Sequence, residues 1–206
     1  MTIDELKKYV SIKEIKGDCV RVKANEGYML KLRDSYTDEL YCEKSAIPDN
    51  LVVVPYSTYL IESNKEKYKG MTVEEAKEKL IAEITAYDKS LAVNSFLLND
   101  KQRWLKNDLR RSLSYSTNIL KEDGEETVDI WFDTECETMN IDNALYMLKE
   151  LEVYAKQTNN VTHQHKAGVI ALTSIEEVEA YDITKDYPEK LVFSNEKLSE
   201  AVSNLK

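Results

Sequence analysis

Between residues 127 and 155 the spacing of apolar side chains changes from strict alternation to a helical period. Thr127 to Phe132 alternates, with Val128, Ile130 and Phe132 on one face and Asp129 and Trp131 on the other. A period of two belongs to a strand with one buried face. Glu137 to Ile141 reads as its partner strand. Asp142 then caps a long helix carrying Leu145, Leu148, Leu151, Tyr154 and Ala155 on one stripe. The stripe runs on through Val161, His165 and Val169, with Asn159-Asn160 as a candidate interruption. A strand pair leading into an amphipathic helix buries both apolar faces when sheet and helix form layers, which is an α+β arrangement.

The rest of the module follows the same logic. Ala92 to Leu98 and Arg103 to Leu105 flank Asn99-Asp100 and predict a hairpin. Asn107 is read as the cap of a helix whose buried line is Leu109, Leu113, Ser116 and Leu120, stopped by Asp123-Gly124. Ser174 and Glu177 have the spacing of a capping box, as do Thr72 and Glu75. The Thr72 box opens a helix with Val73, Ala76, Leu80, Ile84 and Tyr87 at helical spacing, a connector between two parts of the chain. After Pro188, Leu191-Val192-Phe193 precedes a short amphipathic helix from Asn195, with Leu198, Ala201, Val202 and Leu205 on one line. A helix this short needs a docking surface. The sequence leaves open whether that surface is its own domain or another subunit.

Residues 1–66 are read as a β-rich docking domain, 71–192 as the α+β domain and 193–206 as the C-terminal helix. Asp18–Val22, Tyr28–Leu32, Glu39–Glu43 and Leu51–Pro55 are the expected strands of the first part, with Asn25-Glu26-Gly27 as a turn and Thr2–Tyr9 as a short helix. The polar, lysine-rich run from Asn64 to Gly70 is the expected boundary. Seven of the thirteen tyrosines fall in this part or at its edge. Tyrosine combines contact area with a polar handle and is enriched at interfaces. Tyr28, Tyr36, Tyr41, Tyr56 and Tyr59 are therefore candidate interface residues, together with Leu198, Val202 and Leu205 of the last helix.

Composition excludes several function classes. The net charge of −10 argues against a nucleic-acid partner, because that affinity comes from clustered Lys and Arg. The local exception, Lys101, Arg103, Lys106, Arg110 and Arg111, is interleaved with leucines and reads as the solvated side of an amphipathic helix. No apolar run approaches the roughly 20 residues that span a bilayer, so no membrane partner is expected. Asp4, Glu5, Lys7 and Lys8 interrupt any signal-peptide core, and the expected site of folding is the cytoplasm. Cys19, Cys42 and Cys136 match no metal spacing and read as free thiols; Cys19 and Cys42 face each other only if their strands pair. His163 and His165, two apart on a helix, point about 200° from each other and do not chelate one metal. Asp133 to Glu137 gathers carboxylates at a turn without the glycine and spacing of a calcium loop. Phosphate loops and nucleophile elbows are not found. The sequence assigns no catalytic residue, no cofactor and no metal, and the expectation is a protein that is not an enzyme.

One pattern resembles a known family. Ala86-Tyr87-Asp88, Val93-Asn94-Ser95-Phe96, Trp104-Leu105, Arg110-Arg111-Ser112-Leu113 and Ile130-Trp131-Phe132 carry it. It continues through Ala144-Leu145-Tyr146-Met147-Leu148, Leu151-Glu152-Val153-Tyr154-Ala155, His165-Lys166-Ala167 and Tyr181-Asp182. This pattern, covering roughly residues 80 to 192, resembles an uncharacterised C-terminal domain of tail-associated proteins from phages and prophages of gut bacteria. Related domains occur in tail-fibre assembly proteins. The resemblance implies a structural virion protein of the tail or tail fibre, acting by protein–protein contact in repeated copies with other tail subunits or as a homo-oligomer. It would be made in the bacterial host cytoplasm and carried in the virion. The alternatives are an assembly chaperone that leaves the particle, and a host-receptor or carbohydrate-binding module built on Trp104 or Trp131. Both tryptophans sit in apolar patterns, so at least one is expected in the core.

Overall fold

The computed structural model describes residues 6–16, 19–43 and 50–204. By contacts the chain forms two units, Met1–Ala76 with Leu172–Asp182, and Lys77–Ala171 with Ile183–Lys206. The class is α+β, as the sequence predicts.

In the first unit, strands β1 (Val10–Lys16), β2 (Cys19–Ala24), β3 (Tyr28–Leu32), β4 (Ser35–Thr37), β5 (Glu39–Glu43) and β6 (Leu51–Pro55) form two antiparallel sheets, ordered β1-β2-β5 and β4-β3-β6. Alternation buries Val20 and Val22 of β2 and Leu30 of β3 against Leu6, Val10 and Leu51. Gly27, at φ 81°, makes the tight turn between β2 and β3. β2 and β5 pair with Val20 opposite Cys42 and Cys19 opposite Glu43. The two cysteines thus stand one residue out of register, and both are free thiols. Of the short helix expected over Thr2–Tyr9, residues 2–5 lie outside the described residues, and 7–9 form a turn leading into β1.

Helix α1 (Tyr56–Lys67) follows β6 directly from Pro55. It has no counterpart in the sequence reading, because Tyr59, Leu60 and Ile61 run consecutively rather than at helical spacing. Asn64 to Lys67 therefore lie inside a helix rather than in a linker. Lys31 and Tyr36 both donate to the Glu62 carboxylate, the lysine at 2.7 Å, and tie this helix to β3 and β4. Those contacts hold Glu62 below the usual carboxylate range, Lys31 first and Tyr36 second.

Helix α2 (Val73–Asp88) begins at the expected box: the Thr72 N–H donates to Glu75 Oε2 at 2.8 Å and the Glu75 N–H to Thr72 Oγ1 at 3.3 Å. The second unit continues with β7 (Phe96–Leu98), β8 (Lys101–Arg103), α3 (Asn107–Glu122), β9 (Thr127–Phe132), β10 (Glu135–Asn140) and α4 (Ile141–Ala171). The β7–β8 turn is the expected Asn99-Asp100, with φ of 49° and 63° at its two central residues. Positive φ at both is the geometry that matches strand twist, and Asn and Asp tolerate it best after glycine. α3 ends at Gly124, φ 85°, with the Glu125 N–H donating to Leu120 O and the Gly124 N–H to Lys121 O. Both bonds are those of a Schellman stop.

α4 runs unbroken through Asn159-Asn160. Its first turn is capped by Asn140, whose side chain accepts the Asp142 N–H at 2.9 Å, so the cap lies two residues before the expected one. Helix α5 (Ile175–Glu179) returns to the first unit, opened by the Ser174–Glu177 box. There the Asn64 side chain, buried, donates to the Glu179 carbonyl at 2.7 Å. β11 (Val192–Phe193) then pairs in parallel with β7, and α6 (Asn195–Ser203), capped by Ser194, closes the second unit.

The core of the second unit gathers Phe96 and Leu98, Val128, Ile130 and Phe132, Met139, the α4 stripe Ala144, Met147, Leu148 and Leu151, and Phe193 with Leu198. Phe96 meets Phe132 and Phe193 edge-on at 6.1 and 5.8 Å. The last helix docks on its own unit, with Leu198 only 1% exposed.

Polar pins fasten α4 along its length. Tyr154 Oη donates to the Val93 carbonyl at 2.9 Å, and burial, then Tyr87, pushes its phenol up. Tyr154→Phe is expected to cost about 1–3 kcal/mol, since the buried carbonyl loses its donor. Urea unfolding followed by tryptophan fluorescence measures this in the second unit, where both tryptophans lie. An unchanged midpoint would show that the bond contributes nothing.

Candidate functional site

Helix α3 presents a charged side chain to the interior. The sequence places Leu109, Leu113, Ser116 and Leu120 inward, but the helix buries Arg110 and Thr117, while Leu109 and Ser116 are exposed. Arg110 is 3% exposed. Its Nε donates to Glu152 Oε1 of α4 at 2.9 Å, and a terminal nitrogen donates to the Leu105 carbonyl at 2.6 Å. Its guanidinium carbon stands 5.2 Å from the centre of the Trp104 ring. The helix turns to bury this paired charge, which carries Leu109 outward. The basic run also departs from expectation: Lys101 and Arg103 belong to β8, so the five cations do not share one helix face.

An open cleft of about 490 Å³ lies where the end of β8, the start of α3 and the end of β9 meet. Trp104 and Trp131 line it, with Leu91 from the turn after α2 and Leu109 from α3. Gln102, Arg103, Lys106 and Asp133 supply the polar wall. Trp131, on the outward face of β9, is 59% exposed. Trp104 packs partly against the core and meets Tyr154 edge-on at 6.5 Å. One tryptophan thus touches the core and the other does not.

Arg103 is held from several sides. Its guanidinium pairs with Glu135, reaches Glu137 at 3.6 Å and lies 5.2 Å from the centre of the Phe132 ring. Lys101 joins Glu135 at 2.9 Å. The bonds from Lys101 and then Arg103 hold the Glu135 carboxyl down at about 2. Arg103 Nε is buried without a hydrogen-bond partner.

The other candidate residues are dispersed. In the first unit the tyrosines mostly meet one another: Tyr36 packs on Tyr59 at 4.9 Å, Tyr59 on Tyr56 at 5.6 Å, and Tyr28 on Tyr9 at 5.1 Å. All four of Tyr28, Tyr36, Tyr56 and Tyr59 are half-buried, whereas Tyr41 is 55% exposed. Leu198 belongs to the core and is no longer free for an interface, Val202 is half-buried, and Leu205 lies outside the described residues. His163 is exposed. His165 is buried, with Nε2 2.9 Å from the Lys185 carbonyl and its ring stacked on Tyr187. Tyr187 Oη lies 2.9 Å from Thr162 Oγ1, which donates to Asp88. This network fastens residues 185–187 to α4. Among the described residues no group of three or more His, Cys, Asp or Glu is placed to hold a metal ion. Partial desolvation, then Asp129 and Glu137, raises the Cys136 thiol and makes it a poor nucleophile. No helix among the described residues is long and apolar enough to cross a membrane.

The walls of the cleft come from three separated stretches, 91, 102–109 and 131–133, so the sequence offers Trp104 and Trp131 as candidates without joining them in one site. The alternation of β9 places the Trp131 indole on the face opposite Ile130. Comparison of the chain with protein-family models, with curated proteins and with solved structures returned no match.

The Glu135 cluster sets a pH dependence. Its carboxyl lies at about 2 rather than 4.5, so the stabilisation is present above pH 4.5 and is lost as the pH falls towards 2. Unfolding midpoints of the wild type and Glu135→Gln at low salt are expected to differ at neutral pH and converge across that window. A constant difference at all pH values would contradict the ion-pair origin.

Proposed function

We propose that the chain is a structural protein of a phage tail or tail fibre that works through protein–protein contacts. The observation carrying this reading is the residue pattern over roughly residues 80 to 192. Its apolar members Phe96, Leu105, Ile130, Phe132, Ala144, Met147, Leu148 and Leu151 together build the core of the second unit. The pattern therefore bears on how this unit packs, which is where a family likeness has physical meaning. The exposed apolar side chains Ile15, Tyr41, Val52, Ile170 and Val192 supply contact area on both units. Tails are symmetric assemblies, so the chain would be present in repeated copies beside other tail subunits. It would fold in the host cytoplasm and remain in the virion.

Mass spectrometry of gradient-banded particles tests this. Peptides of this chain are expected in fixed proportion to known tail subunits. Their absence from particles, with abundance in infected-cell lysate, would overturn the reading in favour of a dissociating assembly chaperone.

A further inference from the structure

We propose that the cleft between Trp104 and Trp131 is a saccharide-binding site.

The volume of about 490 Å³ lies within the range of small-ligand sites, roughly 300–1,000 Å³. The lining mixes two flat indoles with planar or charged polar groups. A sugar ring matches that mixture: its C–H face lies on an indole, and its hydroxyls both donate and accept at the rim. Trp131 is the platform, because it stands on a paired strand opposite Cys136 and projects outward. Trp104 is the second wall, held from behind by Arg110 and Tyr154.

The polar groups are equally suited. Asp133 accepts, Lys106 donates, and Gln102 does both. Arg103 is already oriented by Glu135, Glu137 and the Phe132 ring, so little entropy is lost in ordering it. Other ligand classes fit less well. A greasy molecule would leave this open, half-polar wall unsatisfied. A nucleic acid would meet Glu135 and Glu137 beside Arg103 and a chain of net charge −10. A partner helix needs one continuous apolar stripe, whereas Gln102, Arg103, Lys106 and Asp133 line this cleft together with its apolar groups.

The test is a printed array of defined glycans probed with the full chain, followed by fluorescence titration of the best-bound glycan. At least one related group of glycans is expected to bind and to change tryptophan emission. Trp131→Ala is expected to weaken that binding by about tenfold or more. Because Trp131 is exposed, this variant should keep the wild-type circular dichroism and unfolding midpoint. Ile170→Ala, an exposed apolar change outside the cleft lining, should bind like the wild type. An array with no bound glycan would overturn the proposal. So would glycan binding that survives Trp131→Ala, or retention on a peptide library with none on glycans. Each result is independent of whether the chain is found in particles.

Discussion

The second unit is organised around one buried guanidinium. Arg110 joins α3 to α4 through Glu152, joins both to the chain entering α3 through the Leu105 carbonyl, and stacks against Trp104. A charge taken out of water must be matched in place, because its desolvation costs several kcal/mol when it is not. The partners available to Arg110 therefore fix how α3 rotates about its own axis. That rotation decides which side chains the helix sends to the core and which it sends out. Leu109 goes out, Thr117 goes in, and Trp104 is pressed against the protein along one wall of the cleft.

Other long connections are settled the same way, by polar groups with specific partners. Tyr154 holds the turn after α2, His165 and Thr162 hold the segment at Tyr187, and Asn64 holds the end of α5 within the first unit. Apolar burial supplies most of the driving force for such a fold, but it is non-directional. These directional contacts select which loop lies against which turn of helix. The discontinuous first unit, which takes in Leu172–Asp182, illustrates the point: the Asn64 bond spans a large sequence separation.

Local chemistry was readable wherever it was decisive. The β9 alternation, the two capping boxes, the Asn99-Asp100 turn and the Gly124 stop each depend on residues within a few positions, and each appears as expected. What the sequence hid was set by distant partners. Helix α1 has no apolar stripe to read, and the Lys31 and Tyr36 bonds to Glu62 that tie it to β3 and β4 come from distant residues. Arg110 reads as a surface cation until Glu152, forty-two residues on, is seen beside it. The tyrosines set aside for an interface mainly contact one another, a pairing that spacing does not encode. The cleft is a partial case: the sequence names Trp104 and Trp131 as candidate platforms, but their meeting in one cleft depends on how the approach to α3 lies beside β9.

A double-mutant cycle between Arg110→Met and Glu152→Gln tests the central claim most directly, with urea unfolding followed by tryptophan emission. If the buried guanidinium sets the packing of α3 on α4, the two changes couple by about 1–3 kcal/mol. The emission of Trp104 should also shift in the Arg110 variant. Coupling near zero, the value of an ordinary exposed pair, would show that the helices find their places without it.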